Sequence, residues 1–285
     1  MHRFSRSGLS FDVRDGGPRD GAAVVLSHGF PQDATSWARV EPLLHGAGLR
    51  TLAPDQRGYS PGACPGGRAA YRIEELVDDV VALLDAAALP RAHLVGHDWG
   101  GGVAWEVAAR HPDRIATLTV LSTPHPAALG WAYRHDRQQR RMSWYMAAFQ
   151  LPWLPEHWLS RTMWRILRDS GMPPLDAARY ASRFAEPAAL TGPIGWYRAL
   201  PRTGRSTLAA APGRQRGTVP TTYLWGRHDI ALGRAAAQRT GACVGADYRF
   251  VELDAGHWLP ETHPGDVARA VIEGVVRAAQ GGQVS

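Results

Sequence analysis

A short glycine-rich run in the first half of the chain carries the residues best suited to covalent chemistry. Residues 91–105 read RAHLVGHDWGGGVAW. An apolar strand is followed by Gly96, His97, Asp98 and Trp99, then by three glycines and an apolar helix. A strand that turns sharply into a helix through Gly-x-nucleophile-x-Gly is a nucleophile elbow, which holds its middle residue in strained backbone geometry and needs small neighbours. The pattern therefore predicts a carboxylate nucleophile at Asp98.

A carboxylate nucleophile favours attack on an alkyl carbon. Asp98 would form an ester with the substrate while a C–O or C–halogen bond breaks, and water would then attack the ester carbonyl. A serine at this position would suit acyl transfer, so ordinary esterase or lipase activity is disfavoured. The structural alternative is that Asp98 only caps the following helix, and the surrounding glycines argue against it.

Two residues late in the chain can serve the second step. His257 stands in the run AGHW and Asp229 in the run WGRHD, each just past a predicted strand. Ligands of open α/β sheets bind beyond the carboxyl ends of the strands, so these side chains are expected to meet Asp98 there. His257 would activate water, and Asp229 would orient and charge-stabilise it. His228 and Asp254 compete with Asp229 for the orienting role.

Alternating strands and helices must position these side chains. Apolar runs predict strands at 9–14, 22–27, 49–53, 92–95, 115–122, 220–225 and 248–253, the first at an edge, and helical patterns lie at 33–44, 73–89, 232–240 and 267–279. This alternation predicts a parallel sheet with helices on both faces. Residues 125–216 show no strand pattern and hold six of the eleven tryptophans. We therefore expect an α/β core in two parts, 1–124 and 217–285, with a helical cap at 125–216 between them.

Composition and charge set the remaining expectations. The net charge is +6 and every one of the 32 basic residues is Arg, but these are scattered, so no nucleic-acid partner is expected. Neither Cys64 nor Cys243 has metal-ligand spacing, and no metal or cofactor is expected. The first residues lack the apolar core of a signal peptide and no apolar run is long enough to span a membrane, so we expect a cytoplasmic protein without membrane contact. The sequence leaves a homodimer open.

These motifs resemble those of α/β-hydrolases of the epoxide hydrolase type. The order nucleophile, acid, histidine is that of this fold. The resemblance covers nearly the whole chain and rests on HGFP at 28–31, DQRGYS at 55–60, GHDWGG at 96–101, Asp229 and GHW at 256–258. It implies an α/β-hydrolase fold, with a mostly parallel central sheet, helices on both faces and an inserted helical cap.

The resemblance also assigns an acid for ring opening. Tyr145 and Tyr197 are similar to the cap positions at which epoxide hydrolases place their ring-opening tyrosines. An epoxide oxygen leaves poorly unless it is protonated or hydrogen-bonded, and the alkoxide that forms is far more basic than a phenol with a pKa of about 10. Packing within the cap is the alternative interpretation of both tyrosines.

The ester intermediate needs an oxyanion hole and a pocket around it. The backbone N–H groups of Phe30 and Trp99 are the expected donors, and the resemblance implies a cis bond between Phe30 and Pro31. The substrate pocket is expected to be lined by Phe30, Trp99, Phe149, Trp196 and Trp258.

Together these features predict a hydrolase that opens a small epoxide, apolar or aromatic, to a vicinal diol. The close alternative is a haloalkane or haloacid dehalogenase with the same Asp-His-Asp triad. Haloalkane dehalogenases often carry a polar donor where Phe30 stands, and haloacid-type members carry an arginine beside the nucleophile, where this chain has Trp99 and glycines. Both departures favour the epoxide. A receptor-like protein that only binds a small molecule would need a broken triad, and this one is complete in sequence.

Overall fold

The computed structural model describes residues 1–200 and 217–281. Within them the chain forms one eight-stranded sheet, in the order β1-β2-β4-β3-β5-β6-β7-β8. The strands are β1 (Arg3–Arg6), β2 (Leu9–Gly16), β3 (Ala23–Ser27), β4 (Arg50–Pro54), β5 (Ala92–His97), β6 (Ile115–Leu121), β7 (Thr221–Gly226) and β8 (Tyr248–Leu253). The two antiparallel pairings both involve β2, with β1 and with β4, and the remaining pairs are parallel. The predicted α/β-hydrolase fold is confirmed.

The buried strands follow directly from the apolar runs. Every residue of β3, β5 and β7 is buried, as expected for parallel strands covered on both faces. The prediction that the first strand lies at the edge is wrong, because β1 pairs outside β2. A two-residue turn at Ser7 and Gly8, both at positive φ, closes this hairpin. Four residues are too few to show a periodic signal, and β1 was therefore missed.

The helices are α1 (Glu41–Gly46), α2 (Ile73–Ala86), α3 (Trp99–Arg110), α4 (Pro126–His135), α5 (Arg137–Met142), α6 (Trp144–Ala148), α7 (Leu154–Asp169), α8 (Pro174–Arg183), α9 (Thr191–Ala199), α10 (Arg234–Arg239), α11 (Leu259–Thr262) and α12 (Pro264–Gly281). The single helix predicted over 33–44 is wrong: a 3₁₀ turn at Ala34–Trp37 precedes α1. Pro42 lacks an N–H and is tolerated only in the first turn of a helix, so α1 begins there. No helix in the described ranges is long and apolar enough to cross a membrane.

Helices α4 to α9 follow β6 and precede β7, and we call them the helical segment (126–199). Its described part contains no strand. The predicted cap end at 216 and the chain end at 285 lie outside the described residues, so the division into core and cap stays a prediction. Arg183 ties this segment to the core, because its guanidinium donates to Asp33, to Asp55 and to the Tyr59 carbonyl.

A buried ion pair joins two helices within the helical segment. The Arg198 Nη2 lies 3.0 Å from Glu156 Oε2, and both side chains are nearly inaccessible to water. The guanidinium also donates to the carbonyls of Phe149 and Leu151. Removing one partner of a buried pair leaves the other charge desolvated without compensation, which costs about 3–5 kcal/mol.

We therefore expect Glu156→Ala to lower the free energy of unfolding by about 3 kcal/mol. Urea unfolding followed by circular dichroism measures this loss. The matched control is Asp169→Ala, which removes an ion pair with Arg168 whose two side chains are about half exposed. That change should stay within about 0.5 kcal/mol. Equal losses for the two variants would contradict a stabilising role for the buried pair.

Candidate active site

Asp98 stands between β5 and α3 in a sharp, strained turn. Its φ is 50° and its ψ is −118°, a backbone conformation that residues other than glycine rarely adopt. A Cβ at Gly96 would collide with the Gly100 carbonyl, and a Cβ at Gly100 would collide with the Ser27 carbonyl. The elbow therefore needs glycine at both positions, as the sequence pattern predicts.

One carboxylate oxygen of Asp98 accepts a backbone hydrogen bond, and the other faces His257. Its Oδ1 accepts a bond of 2.8 Å from the Phe30 N–H, and the Phe30–Pro31 bond is cis, as expected. Gly29 approaches so closely that a Cβ there would collide with the Asp98 side chain. Trp99 is the first residue of α3, and the first N–H groups of a helix have no partner within it. The two expected oxyanion donors thus belong to the residues that flank Asp98 in the chain and in space.

His257 lies between two carboxylates. Its Nδ1 is 2.8 Å from Asp229 Oδ2, and its Nε2 is 3.6 Å from Asp98 Oδ2. The other oxygen of Asp229 accepts the N–H groups of Ala231 and Leu232, which fixes the carboxylate. The structure thus brings Asp98, His257 and Asp229 together as the sequence predicts.

The competitors for the orienting position lie elsewhere. Asp254 pairs with Arg227 and His228 on the surface, where its side chain is 68% exposed. In the sequence His228 follows β7 and Asp254 follows β8, so both stand after a strand end as Asp229 does. Only the direction of each loop in the structure shows that Asp229 is the residue beside His257.

The electrostatics of the triad favour an ion pair. Burial disfavours the charged form of His257, but the adjacent Asp229 and Asp98 outweigh it and raise the pKa of the imidazole to about 10. Burial likewise opposes ionisation of Asp98, yet the adjacent positive charge of His257 lowers the pKa of that carboxyl. Asp98 is therefore an ionised carboxylate at neutral pH.

Tyr145 and Tyr197 come from α6 and α9 and meet above Asp98, where both line the same cavities as the carboxylate. The ring of Tyr197 packs edge-on against Phe30, Trp99 and Phe149, with centroids 5.3, 5.0 and 4.9 Å apart. Burial, together with the negative charge of Asp98, raises the pKa of both phenols. Their hydroxyls therefore remain protonated donors at neutral pH.

Two mostly apolar cavities meet at this site. The smaller, of 260 Å³, is lined by the predicted Trp99 and Trp196, and the larger, of 540 Å³, by Phe30, Phe149 and Trp258. Within the described ranges no group of three or more His, Cys, Asp or Glu side chains is placed to hold a metal ion.

Sequence reasoning missed a chain of buried polar contacts behind the site. His97 Nδ1 is 2.7 Å from Gln32 Oε1, and Gln32 Nε2 donates to Glu261. His97 Nε2 lies 2.9 Å from the carbonyl of His257. Burial lowers the pKa of His97 to about 3 and raises that of Glu261 to about 7. The available signal was position, since Gln32 directly follows the HGFP run and Glu261 stands four residues after His257.

Comparison with known proteins places this geometry. The family described as alpha/beta hydrolase fold matches residues 22–264. The chain is 35% identical to the AB hydrolase superfamily protein YfhM of Bacillus subtilis and 33% identical to Epoxide hydrolase A of Mycobacterium tuberculosis, over 94% of both partners in each case. The crystal structure of Epoxide Hydrolase A from Mycobacterium thermoresistibile superposes with a TM-score of 0.82 at 29% identity, covering 96% of this chain and 97% of that one. This protein therefore belongs to the alpha/beta hydrolase family, as a hydrolase whose relatives include epoxide hydrolases.

Proposed function

We propose that this protein hydrolyses epoxides to vicinal diols through a covalent ester on Asp98. The observation that carries the proposal is an ionised carboxylate at a nucleophile elbow that shares its cavities with two protonated tyrosine hydroxyls. The names of the relatives support the same reaction. A small apolar or aromatic epoxide fits the mostly apolar walls.

In the first step the Asp98 oxygen that faces His257 attacks a ring carbon. The C–O bond of the epoxide breaks, and the departing oxygen takes a proton from Tyr145 or Tyr197. The Oδ1 atom already bonds the Phe30 N–H, so Oδ2 becomes the ester oxygen. Positioned acids of this kind contribute about 10²–10⁴ in rate.

In the second step water attacks the ester carbonyl carbon. His257, neutral at this stage, takes one proton of the water and passes it to the departing diol oxygen, and the other proton of the water then restores the imidazolium. Negative charge builds on Oδ1, where the N–H groups of Phe30 and Trp99 can stabilise it. Asp98 is regenerated as a carboxylate that holds one oxygen atom from the water.

The first step also prepares the base for the second. Two carboxylates hold His257 as an imidazolium in the resting site. Once Asp98 is an ester it is neutral, and of the two carboxylates beside His257 Asp229 alone keeps its negative charge. The pKa of His257 then falls, so the imidazolium gives its proton to the tyrosinate left by ring opening, and the neutral imidazole can accept a proton from water.

The dehalogenase alternative uses the same triad but has less support. The side chain of Phe30 offers no polar donor to a halide, and the two tyrosine hydroxyls suit an oxygen leaving group. The relatives named above are epoxide hydrolases where their names state a substrate. A cytoplasmic location and a homodimer stay predictions.

Replacing His257 should trap the ester. We expect His257→Gln, mixed with styrene oxide, to gain the mass of one epoxide. Its turnover rate should fall about 10²–10⁴-fold. Intact mass spectrometry detects the adduct, and a single turnover of the wild-type enzyme in ¹⁸O-water should label Asp98 before the diol. The control Asp98→Ala/His257→Gln should stay unmodified. Label that appears first in the diol would rule out the covalent route.

The tyrosine hydroxyls should act on ring opening. Tyr197→Phe is expected to slow ester formation about 10²-fold, with a larger loss when Tyr145→Phe is added. Stopped-flow fluorescence measures this step. Tyr248→Phe, which removes a buried hydroxyl at β8 away from the site, is the matched control. If the double variant forms ester as fast as the control, both tyrosines are packing residues.

Asp98→Asn should lower the pKa of His257. The amide removes one of the two negative charges that favour the imidazolium, as the ester would, so the wild-type value of about 10 should fall. NMR titration of the His257 ring measures the change. His228→Gln, outside the site, should leave that titration in place. An unchanged pKa in Asp98→Asn would contradict the proposed activation of the base.

A further inference from the structure

The two cavities differ in how they reach the surface. We call the smaller one the inner lobe; among its walls are Trp99, Gly102, Leu129, Gly130, Met146 and Trp196. None of its described lining residues is exposed. We call the larger one the outer lobe; its wall includes Trp144, Leu151, Leu154, Trp158 and Ile230, whose exposed fractions lie between 48% and 65%. The outer lobe therefore opens between exposed apolar side chains, whereas the described walls of the inner lobe are buried or half-buried.

The reacting groups lie at the junction of the lobes. Asp98, Tyr145, Tyr197 and Ala231 line both cavities. A three-membered ring held between the carboxylate and the tyrosine hydroxyls would send the substituent of one ring carbon inward and that of the other outward. An epoxide substituted on a single carbon would leave one apolar lobe without substrate contacts.

The volumes set the size of each arm. A cavity of about 150 Å³ lined by apolar side chains accepts benzene. The inner lobe, at 260 Å³, has room for an aryl ring, and the outer lobe, at 540 Å³, has room for a longer group. The shape and polarity of the walls match two apolar arms, the shorter one directed inward.

Two helix glycines keep the inner lobe open. A Cβ at Gly102 in α3 or at Gly130 in α4 would meet no atom within 4 Å. This distinguishes Gly102 from Gly96 and Gly100, which are required by close backbone contacts. Glycine within a helix is unfavourable relative to alanine, so its presence at two positions of the same wall indicates that the empty space is used.

We propose that the preferred substrates are epoxides with apolar groups on both ring carbons, and that Gly102 and Gly130 determine this specificity by leaving room for the inner arm. The inference rests on the proposed function, and it names the substrate class of the same site. A leucine at either glycine would project into the inner lobe and take space from that arm.

The test compares trans-stilbene oxide, which has a phenyl group on each carbon, with styrene oxide, which has one. We expect the wild-type enzyme to hydrolyse both, with the higher kcat/KM for trans-stilbene oxide. In Gly102→Leu and in Gly130→Leu the ratio of kcat/KM for trans-stilbene oxide over styrene oxide should fall at least ~10-fold, since a few methylene groups in an apolar pocket change selectivity by about 10–200-fold. Gly265→Leu in α12, also a helix glycine with open space around its Cβ, should leave the ratio unchanged.

The outcomes separate this inference from the function beneath it. A wild-type kcat/KM for trans-stilbene oxide no higher than that for styrene oxide would overturn the substrate class and leave epoxide hydrolysis standing. An unchanged ratio in both glycine variants, with folded protein by circular dichroism, would overturn the role of the inner lobe. No diol from either epoxide would instead refute the proposed function.

Discussion

The strained backbone of Asp98 is the constraint on which the rest of the site depends. Its positive φ turns the chain from the fully buried strand β5 into α3 and places the carboxylate beyond the carboxyl end of that strand. The turn is possible only because Gly96 and Gly100 let the backbone approach closely on either side. A residue held in such a conformation costs of order 1–3 kcal/mol, and the surrounding packed strands must supply that energy. The same geometry brings one carboxylate oxygen to the Phe30 N–H and leaves the other facing His257.

Charge balance is the second constraint. The pKa of the imidazole between the two carboxylates is well above its ordinary value, because the two negative charges outweigh the effect of burial, which lowers the pKa. In the proposed mechanism this arrangement keeps the nucleophile Asp98 ionised and keeps the base His257 inactive until Asp98 has reacted. The proposed mechanism therefore orders its own steps, since ester formation removes the charge that blocks His257.

The helical segment supplies what the sheet cannot. Strand ends carry Asp98, Asp229 and His257, while Tyr145 and Tyr197, which line the same cavities as Asp98, come from α6 and α9. The two layers must keep their relative position to within a hydrogen-bond length, and several buried contacts serve this purpose. Arg183 bridges to Asp33 and Asp55, and the Tyr180 hydroxyl donates to Glu261 of the core.

Much of the fold could be predicted because its signals are local. Strands buried on both faces appear as continuous apolar runs, the elbow appears as a spacing of glycines around Asp98, and the order of Asp98, Asp229 and His257 follows from their positions after strands. Where local signals were short or mixed the predictions were wrong, as at β1 with four residues and at Pro42, which interrupts an apparent helix.

The sequence by itself determined the α/β architecture and named Asp98, Asp229, Asp254 and His257 as candidate catalytic residues. Only the tertiary structure decided between Asp229 and Asp254, joined Gln32 to Glu261 across 229 residues of chain, and divided the pocket into two lobes. The reason is physical: periodicity and turn chemistry act between near neighbours, whereas the direction of a loop, a buried hydrogen bond and the shape of a cavity depend on distant segments packed together. Gly100 and Gly102 are both glycines and stand two positions apart. Only the atoms around them show that Gly100 permits a close backbone contact and that Gly102 borders empty space.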